Sequence, residues 1–462
     1  MPNPIAAPRH EAAALAGLSL SMLLSSLATS IVPVGLPHLA LAFGAPFPQV
    51  QWVLIAYLLA LTTLVVGAGR LGDVVGRRRL LLAGVAVFTA ASALCSAAPT
   101  LGWLVAARAA QGAGAAAMLA LTMAFVGQAV PRARTGSAMG LLGTASAVGT
   151  ALGPSLGGLL LAGPGWRALF AAIAPLGLLA WWLLRRHLPA DPQAPHAGRQ
   201  GLDPTGTLLL ASTLAAYALA MTLGGGRAGA LTIALLLAAA AGAALFVRAE
   251  ARAASPLVRL SMFRDRLLRK SLVTNALVAT VMMATLVVGP FYLSRTLGLG
   301  AAGVGLVLSV GPMVAAAAGV PAGRLADRFG APGMTLAGLA AIGAGAAALS
   351  MLPATLGIAG YLVPIVVITA GYALFQAANN TAVMAGVRPD ERGVLSGLLG
   401  LSRNLGLITG AAVMGAVFER ASAAADVATA PAAAVAGGMH MTFGVAGVLM
   451  VAAGGAAARC RT

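Results

Sequence analysis

Fourteen runs of about twenty apolar residues constrain the fold of this 462-residue chain more than any other feature. A helix of that length crosses the hydrocarbon core of a membrane. Sixty per cent hydrophobic residues and nine per cent charged residues exclude an ordinary soluble domain. The runs therefore predict an all-α polytopic membrane protein embedded in a lipid bilayer. The predicted spans are 13–36, 50–68, 80–98, 101–126, 136–161, 168–186, 205–223, 229–247, 270–293, 302–321, 333–351, 355–378, 393–417 and 439–457.

The placement of the basic residues orients these spans. The net charge is +18, and 23 of the 29 basic residues lie at the chain ends or in alternate loops. This asymmetry follows the positive-inside rule, so we expect both termini in the cytoplasm. Arginine outnumbers lysine 28 to 1, which is typical of a high-GC bacterial genome and favours a bacterial inner membrane. No basic groove with interleaved aromatic residues occurs, which excludes nucleic acid as a partner.

A charged motif occurs twice, each time between two apolar runs. The first copy reads GRLGDVVGRRR from Gly69 to Arg79, and the second reads GRLADRFG from Gly323 to Gly330. The copies begin 254 residues (323 − 69) and eight spans apart, which predicts two related six-span halves with a two-span insert. Aspartate and arginine form charge-assisted hydrogen bonds, so we expect a latch on the cytoplasmic side. Its residues would be Gly69, Asp73, Gly76, Arg77, Arg78, Gly323, Asp327 and Arg328.

The loops divide the chain into five parts. Residues 1–186 would form the first six-helix bundle, and the polar, proline-rich residues 187–204 a cytoplasmic linker. Residues 205–250 would form the inserted two-helix hairpin. The basic stretch 251–269 is predicted to be an amphipathic segment on the inner leaflet. Residues 270–462 would complete the second six-helix bundle.

Several polar residues lie within predicted spans. Arg108 would cost about 2.5–3.5 kcal/mol at the bilayer centre, so it must face a cavity or a partner. Two interpretations stay open, a functional cation in a cavity and a structural arginine bound to backbone carbonyls. The residues that we expect to line a substrate cavity are Thr29, Ser30, Tyr57, Gln111, Phe375, Gln376, Asn379, Asn380, Arg403 and Asn404.

The span 136–161 carries a glycine stripe. Gly149, Gly153 and Gly157 recur at every fourth position and predict a smooth surface for close helix packing. Pro154 removes a helix hydrogen bond and predicts a bend. A generic helix crossing is the simpler alternative. We expect these residues, with Gly158, to form a sliding contact between the two halves.

These motifs together resemble the signatures of the major facilitator superfamily. The resemblance rests on both copies of the repeated motif, on the Arg108-x-x-Gln111-Gly112 segment and on Gly149–Gly158. Fourteen spans and the Trp52–Tyr57 stretch are similar to its fourteen-span drug/proton antiporter branch. The resemblance implies two six-helix bundles plus a two-helix insert, and export rather than import. One departure concerns coupling, because the acidic residue common in the first span of the family is Ala28 here.

Proton coupling requires a group whose protonation changes with conformation. All eleven acidic residues lie outside the centres of the predicted spans. The coupling candidates are Asp73, Asp203 and His38, with Arg108 as a fixed positive charge that lines the cavity. We favour Asp73, because protonation would break its salt bridge to arginine and favour the inward-open state.

These observations predict a secondary efflux transporter that exports drug-like or metabolite molecules by alternating access, in exchange for protons. Two alternatives stay open, an uncoupled facilitator or importer of a small solute such as an anion, and a membrane-embedded sensor. The spans hold no Ser/His/Asp, zinc or paired-carboxylate constellation, so we expect no enzyme activity, no metal and no cofactor. We expect a monomer whose partners are lipid, a small-molecule substrate and protons.

Overall fold

The computed structural model describes residues 8–129, 135–189, 204–223, 229–253, 262, 264–384, 392–422 and 430–458. Within these ranges the chain forms helices and no strand, as the all-α prediction requires. The same ranges contain fourteen helical segments that are long and apolar enough to cross a membrane. This number confirms the predicted number of spans.

The helices follow one another in two sets, separated by a hairpin. The first set is α1 (Pro8–Ser30), α2 (Val32–Phe43), α3 (Phe47–Val50), α4 (Trp52–Val75), α5 (Arg77–Ser96), α6 (Leu101–Ala129), α7 (Thr135–Ala162), α8 (Ala168–Ala171) and α9 (Ile173–His187). The hairpin is α10 (Pro204–Leu223) and α11 (Ala230–Glu250). The second set is α12 (Arg266–Phe291), α13 (Ala301–Phe329), α14 (Ala331–Met351), α15 (Gly357–Met384), α16 (Arg392–Thr409), α17 (Gly415–Ala421) and α18 (Ala432–Ala458). Short π-helical turns follow α12 (Tyr292–Thr296) and α16 (Gly410–Met414), and a 3-10 turn (Ala354–Leu356) precedes α15.

The described part of the chain has an even number of spans, so the start of α1 and the end of α18 lie on one side of the molecule, which we call the terminal face. The opposite side is the far face. In the first half α1 packs against α7, and α4 and α5 pack against α6. In the second half α14 packs against α15 and α18, and α12 packs against α16. The two halves meet most extensively where α7 packs against α13, and the hairpin packs on α4 through α10.

The backbone repeats at the two copies of the charged motif. Gly76 separates α4 from α5 with a φ of 107°, and Gly330 separates α13 from α14 with a φ of 84°. Residues with a Cβ rarely adopt such angles, so each copy needs glycine at this turn. The last glycine of each copy therefore makes the same turn in the two halves.

Several spans differ from their predicted extent. α4, α13 and α15 end at Val75, Phe329 and Met384, which lie six to eight residues past the predicted ends at 68, 321 and 378. The single span 13–36 is divided at Ile31 into α1 and α2, because Pro33 has no backbone N–H to continue the ladder. The Ile31 amide still donates to the carbonyl of Leu27 at 2.9 Å. The last span was predicted to begin at 439, yet α18 begins at Ala432, since its alanine-rich start has high helix propensity.

The predicted connecting segments are described only in part. Residues 190–203 of the linker 187–204, which include Asp203, lie outside the described residues. Residues 254–261 of the segment 251–269 lie outside them as well. α12 begins at Arg266, four residues before the predicted span, because Asp265 caps it by accepting from the Leu267 amide at 2.8 Å.

Candidate functional site

A cavity of about 270 Å³ lies between the two halves. The helices α1, α4, α6 and α7 of the first half line it, together with α12, α13, α15 and α16 of the second. Most of the lining is apolar, as is usual for small-molecule sites. Its polar side chains are Ser25, Ser26, Thr29, Ser30, Tyr57, Ser146, Thr150, Thr285, Tyr361, Thr369, Tyr372 and Arg403.

The first half presents hydrogen-bond acceptors to the cavity. Thr29 donates its hydroxyl proton to the Ser25 carbonyl at 3.1 Å, and Tyr57 donates to the same carbonyl at 3.0 Å. Thr150 donates to the carbonyl of Ser146 at 3.0 Å. Because these three hydroxyl protons are used within the protein, the three oxygens offer a solute their lone pairs. Ser26 and Ser146 share a single hydrogen bond at 2.6 Å, which leaves one of their two protons available.

The second half presents hydrogen-bond donors as well as acceptors, since Thr285 and Thr369 donate to the carbonyls of Met282 and Ile365 at 2.7 Å. Gln376 donates its amide Nε2 to the Tyr372 hydroxyl at 2.9 Å, so the phenol proton of Tyr372 stays available. The Tyr361 hydroxyl is buried and has no hydrogen-bond partner among the described residues. Arg403 is exposed to the cavity, and its guanidinium adds up to five donors and a full positive charge.

Arg108 lies behind the cavity wall rather than in it. Its Nε donates to the carbonyl of Val53 at 2.9 Å, and its Nη1 donates to Oε1 of Gln111. Gln111 in turn donates from Nε2 to the hydroxyl of Ser92 at 2.7 Å. The guanidinium carbon lies 4.2 Å from the centre of the Tyr57 ring, whose edge reaches the cavity. The expectation that Arg108 lines the cavity is therefore wrong for this conformation, since Tyr57 covers it.

The other predicted cavity residues divide into two groups. Thr29, Ser30, Tyr57 and Arg403 line the cavity as expected. Gln111, Phe375, Gln376, Asn379, Asn380 and Asn404 are not among its lining residues.

Each residue of the second group has a different environment. Phe375 is fully buried, with its backbone against Gly338 of α14. Asn379 is buried and accepts from the Ser271 hydroxyl at 2.6 Å, and Asn404 is buried as well. Asn380 is exposed outside the cavity. The sequence of a span does not specify the rotation of its helix. It therefore does not indicate which of two neighbouring residues faces the cavity.

Apart from Thr29 and Ser30, the serine and threonine side chains of the polar lining are not among the predicted cavity residues. Ser146, Thr150, Thr285 and Thr369 belong to this set. Such residues are common in membrane helices because the hydroxyl bonds back to its own helix, so they attract no attention singly. A usable signal was the recurrence of Ser21, Ser25 and Thr29 at every fourth position of α1.

The glycine stripe of α7 contacts its own half. A Cβ added at Gly149 would overlap the backbone of Leu23, and one added at Gly153 would overlap Ser30. Gly157 lies against Ile31 and Val34. The expected contact of these three glycines with the other half is therefore wrong, because the stripe faces α1 and α2.

Other residues of α7 make the contact between the halves. A Cβ added at Gly158 would lie 2.5 Å from the Ala301 carbonyl oxygen and 2.8 Å from Cα of Gly305. The carbonyl oxygen of Pro154 lies against Gly305 in the same way. Of the predicted set, Pro154 and Gly158 thus lie where backbones of opposite halves touch.

Aromatic side chains close the far face. Phe47 of the first half packs edge-on against Phe291 and Phe418 of the second half, with ring centres 5.0 and 5.9 Å apart. All three side chains are buried. The side-chain amide of buried Gln51 also lies against Gly415 of the other half. The cavity is therefore shut off from the far face in this conformation.

The remaining predicted residues lie near the two faces. At the terminal face, Arg78 donates from Nη2 to the Arg185 carbonyl, whereas Asp327 and Arg328 are exposed. The backbone of Asp73 belongs to the last turn of α4, and its side chain lies outside the described residues. His38 is half-buried on α2 near the far face, and its Nδ1 has no hydrogen-bond partner within the described part of the chain.

Two related six-span halves around a shared cavity define a membrane transporter. The family model described as Major Facilitator Superfamily matches residues 18–411, and the chain belongs to that family. The chain is therefore a transporter and not an enzyme.

Comparison with individual proteins shows where the chain is similar within this family. It is 31% identical over 422 residues to "Multidrug resistance protein Stp" of Mycobacterium tuberculosis, and the aligned region covers 88% of this chain and 76% of that protein. It is 28% identical over 406 residues to "Riboflavin transporter RibZ" of Clostridioides difficile, which covers 87% of each. Among solved structures, a bacterial homolog to the human lysosomal transporter Spinster, inward-facing and unoccupied, matches with a TM-score of 0.73 and 17% identity over 98% of this chain and 97% of that one. This last likeness concerns the fold alone.

Proposed function

We propose that this transporter exports small molecules from a bacterial cytoplasm by alternating access, with the cavity between the halves as its substrate site. The observation that supports this most is the cavity itself. Both halves line it, and the packed rings of Phe47, Phe291 and Phe418 shut it off from the far face. The name of the Stp relative favours export of drug-like or metabolite molecules. The positive-inside distribution of the basic residues supports a terminal face that lies on the cytoplasmic side of a bacterial plasma membrane.

The charged motifs would act as the latch that closes the terminal face. Opposite charges on the two helix ends would hold the halves together when the far face opens. We propose that Asp73 also carries the transported proton, because protonation removes its charge and weakens that latch. The transporter would work as a monomer.

A specific observation favours an uncoupled facilitator as the second candidate. The cavity lining contains no carboxylate among the described residues, and Ala28 occupies the first-span position where relatives of this branch carry one. A facilitator would move its solute down the electrochemical gradient without exchanging a proton.

Reconstituted protein separates these candidates. Proteoliposomes would be loaded with ethidium, riboflavin or carboxyfluorescein, and the release of each dye followed with and without an imposed pH gradient. Proton-coupled export requires that the gradient accelerate release and that adding substrate move the pH of the lumen. Release without any proton movement would identify a facilitator. If no dye is released faster than from liposomes that lack the protein, the transport of these solutes is contradicted.

A further inference from the structure

Among the described residues, Arg403 is the one formally charged side chain in the lining of the cavity. The remaining lining residues within the described part of the chain are apolar, hydroxyl-bearing or aromatic. A charged side chain inside a membrane span is costly, and such residues ordinarily pair with a counter-charge. Arg403 has neither an ion pair nor a hydrogen bond to another described residue, so its guanidinium is left to water or to a solute.

Helix packing sets this orientation. The neighbouring residues of α16 are buried against α12, where Asn275 donates to the Leu399 carbonyl at 2.9 Å and Ser402 donates to the Leu272 carbonyl. A Cβ added at Gly406 would overlap the backbone of Ala276. These contacts fix the rotation of α16, and they leave Arg403 directed at the cavity rather than at lipid.

Hydroxyl oxygens that can accept lie on both sides of the cavity, because Thr285 and Thr369 of the second half donate their protons to backbone carbonyls at 2.7 Å. Thr29, Tyr57 and Thr150 of the first half also donate to backbone carbonyls. Tyr372 adds an O–H donor on the same side as Arg403, because its oxygen accepts from Gln376 and its proton stays available. A solute that satisfies these groups carries an anionic group toward Arg403 and Tyr372, and hydroxyl or amine donors toward the acceptor oxygens.

We propose that the substrate of this transporter is a small organic anion whose carboxylate, sulfonate or phosphate is bound by Arg403. This inference rests on the proposed function, because it assigns a substrate class to the same cavity. Arginine binds such groups with two parallel N–H donors, which adds geometric selectivity to the charge. The cavity volume of about 270 Å³ restricts the solute to small molecules, since drug-sized pockets range from about 300 to 1,000 Å³.

Two permanently charged solutes of similar shape test the proposal. Both 4-hydroxybenzenesulfonate and 4-hydroxyphenyltrimethylammonium cross membranes poorly unaided, and they differ in the sign of their charge. We expect proteoliposomes with the native protein to accumulate the sulfonate and not the ammonium ion. Arg403→Gln should lower sulfonate uptake at least about tenfold, because a charge-assisted hydrogen bond is lost. Arg403→Lys should retain part of it, since the charge remains without the bidentate geometry.

Arg248→Gln is the matched control. Arg248 is exposed at the end of α11 in the hairpin, so this variant removes the same charge away from the cavity. Sulfonate binding to detergent-solubilised protein, measured as a rise in melting temperature, gives a readout that needs no transport. We expect that rise in the native protein and in Arg248→Gln, and its loss in Arg403→Gln.

Three results would overturn the proposal. They are equal or better uptake of the ammonium ion by the native protein, sulfonate uptake by Arg403→Gln within twofold of native, and no sulfonate binding or uptake at all. The dye-release assay then separates the two proposals. Release of ethidium or riboflavin together with absent sulfonate transport would refute the anion inference and leave the exporter standing, whereas release of no dye and uptake of neither ion would refute both.

Discussion

Gly158 provides a direct test of how the two halves close the far face. A Cβ at this position would lie 2.5 Å from the Ala301 carbonyl oxygen and 2.8 Å from Cα of Gly305, where ordinary contact begins at 3.4 Å. Gly158→Ala therefore overpacks the contact, at a cost of about 1–3 kcal/mol. If the contact exists only while the far face is shut, the whole cost falls on that conformation. The ratio of far-open to far-closed molecules should rise about 5- to 150-fold.

Double electron–electron resonance measures this shift as a distance distribution. Spin labels at Leu41→Cys and Met351→Cys, in a background with Cys95→Ala and Cys460→Ala, would report the separation of the halves. Both labelled side chains are exposed, at 62% and 79%, and both lie near the far face in opposite halves. We expect a longer-distance population to appear or to grow in Gly158→Ala.

Gly143→Ala is the matched control in the same helix. A Cβ at Gly143 would meet nothing within 4 Å, so this variant adds the same methyl group and the same helix propensity without the overlap. Its distance distribution should equal that of the native protein. An unchanged distribution in Gly158→Ala, or an equal shift in both variants, would refute the reasoning.

Three further predictions concern other contacts. Phe47→Ala should also favour the far-open population in the same distance measurement, because its ring partners belong to the other half and a buried Phe→Ala change costs about 3–5 kcal/mol; an unchanged distribution would show that the rings do not hold the face shut. Asp73→Asn should lower the transport rate at least about tenfold, since it removes the charge of the proposed latch, while the protein elutes normally in size-exclusion chromatography. A native transport rate would contradict the latch role of Asp73. Gly153→Leu should reduce the yield of folded protein rather than the turnover of what folds, because the added side chain meets Ser30 of the same half; normal yield and melting temperature would contradict this packing.

Properties that depend on chain length and hydropathy were predictable from the sequence. The fourteen spans follow from run lengths, and the two halves follow from a motif whose glycine turns at Gly76 and Gly330 then proved equivalent. A glycine with positive φ is a local requirement, so the sequence records it directly. These features need no knowledge of which helix faces which.

The rotation of each helix about its axis determines which of its residues face the cavity or the other half, and the sequence does not specify that rotation. Gly157 and Gly158 are adjacent, yet one packs on α1–α2 and the other on α13 of the opposite half. Asn404 and Arg403 are adjacent as well, and only Arg403 reaches the cavity. An apolar membrane helix has no polar face to orient it, so side-chain fit between helices decides its rotation.

If the transporter is the uncoupled facilitator of the second candidate function, an anionic substrate would account for Ala28 in place of a first-span carboxylate. An inside-negative membrane potential drives anions outward, by about 2.3 kcal/mol per charge for each 100 mV. At about 1.4 kcal/mol per factor of ten, this corresponds to an outside-to-inside ratio of about 50. A cation exporter works against the same potential and needs proton exchange, for which a carboxylate in the cavity serves well. With Ala28 in the first span and Arg403 in the cavity, this chain has the charges suited to a solute that the potential itself expels. For such a facilitator, export is compatible with a cavity lining that has no carboxylate among the described residues, and the membrane potential, rather than the pH gradient, becomes the driving force to vary first.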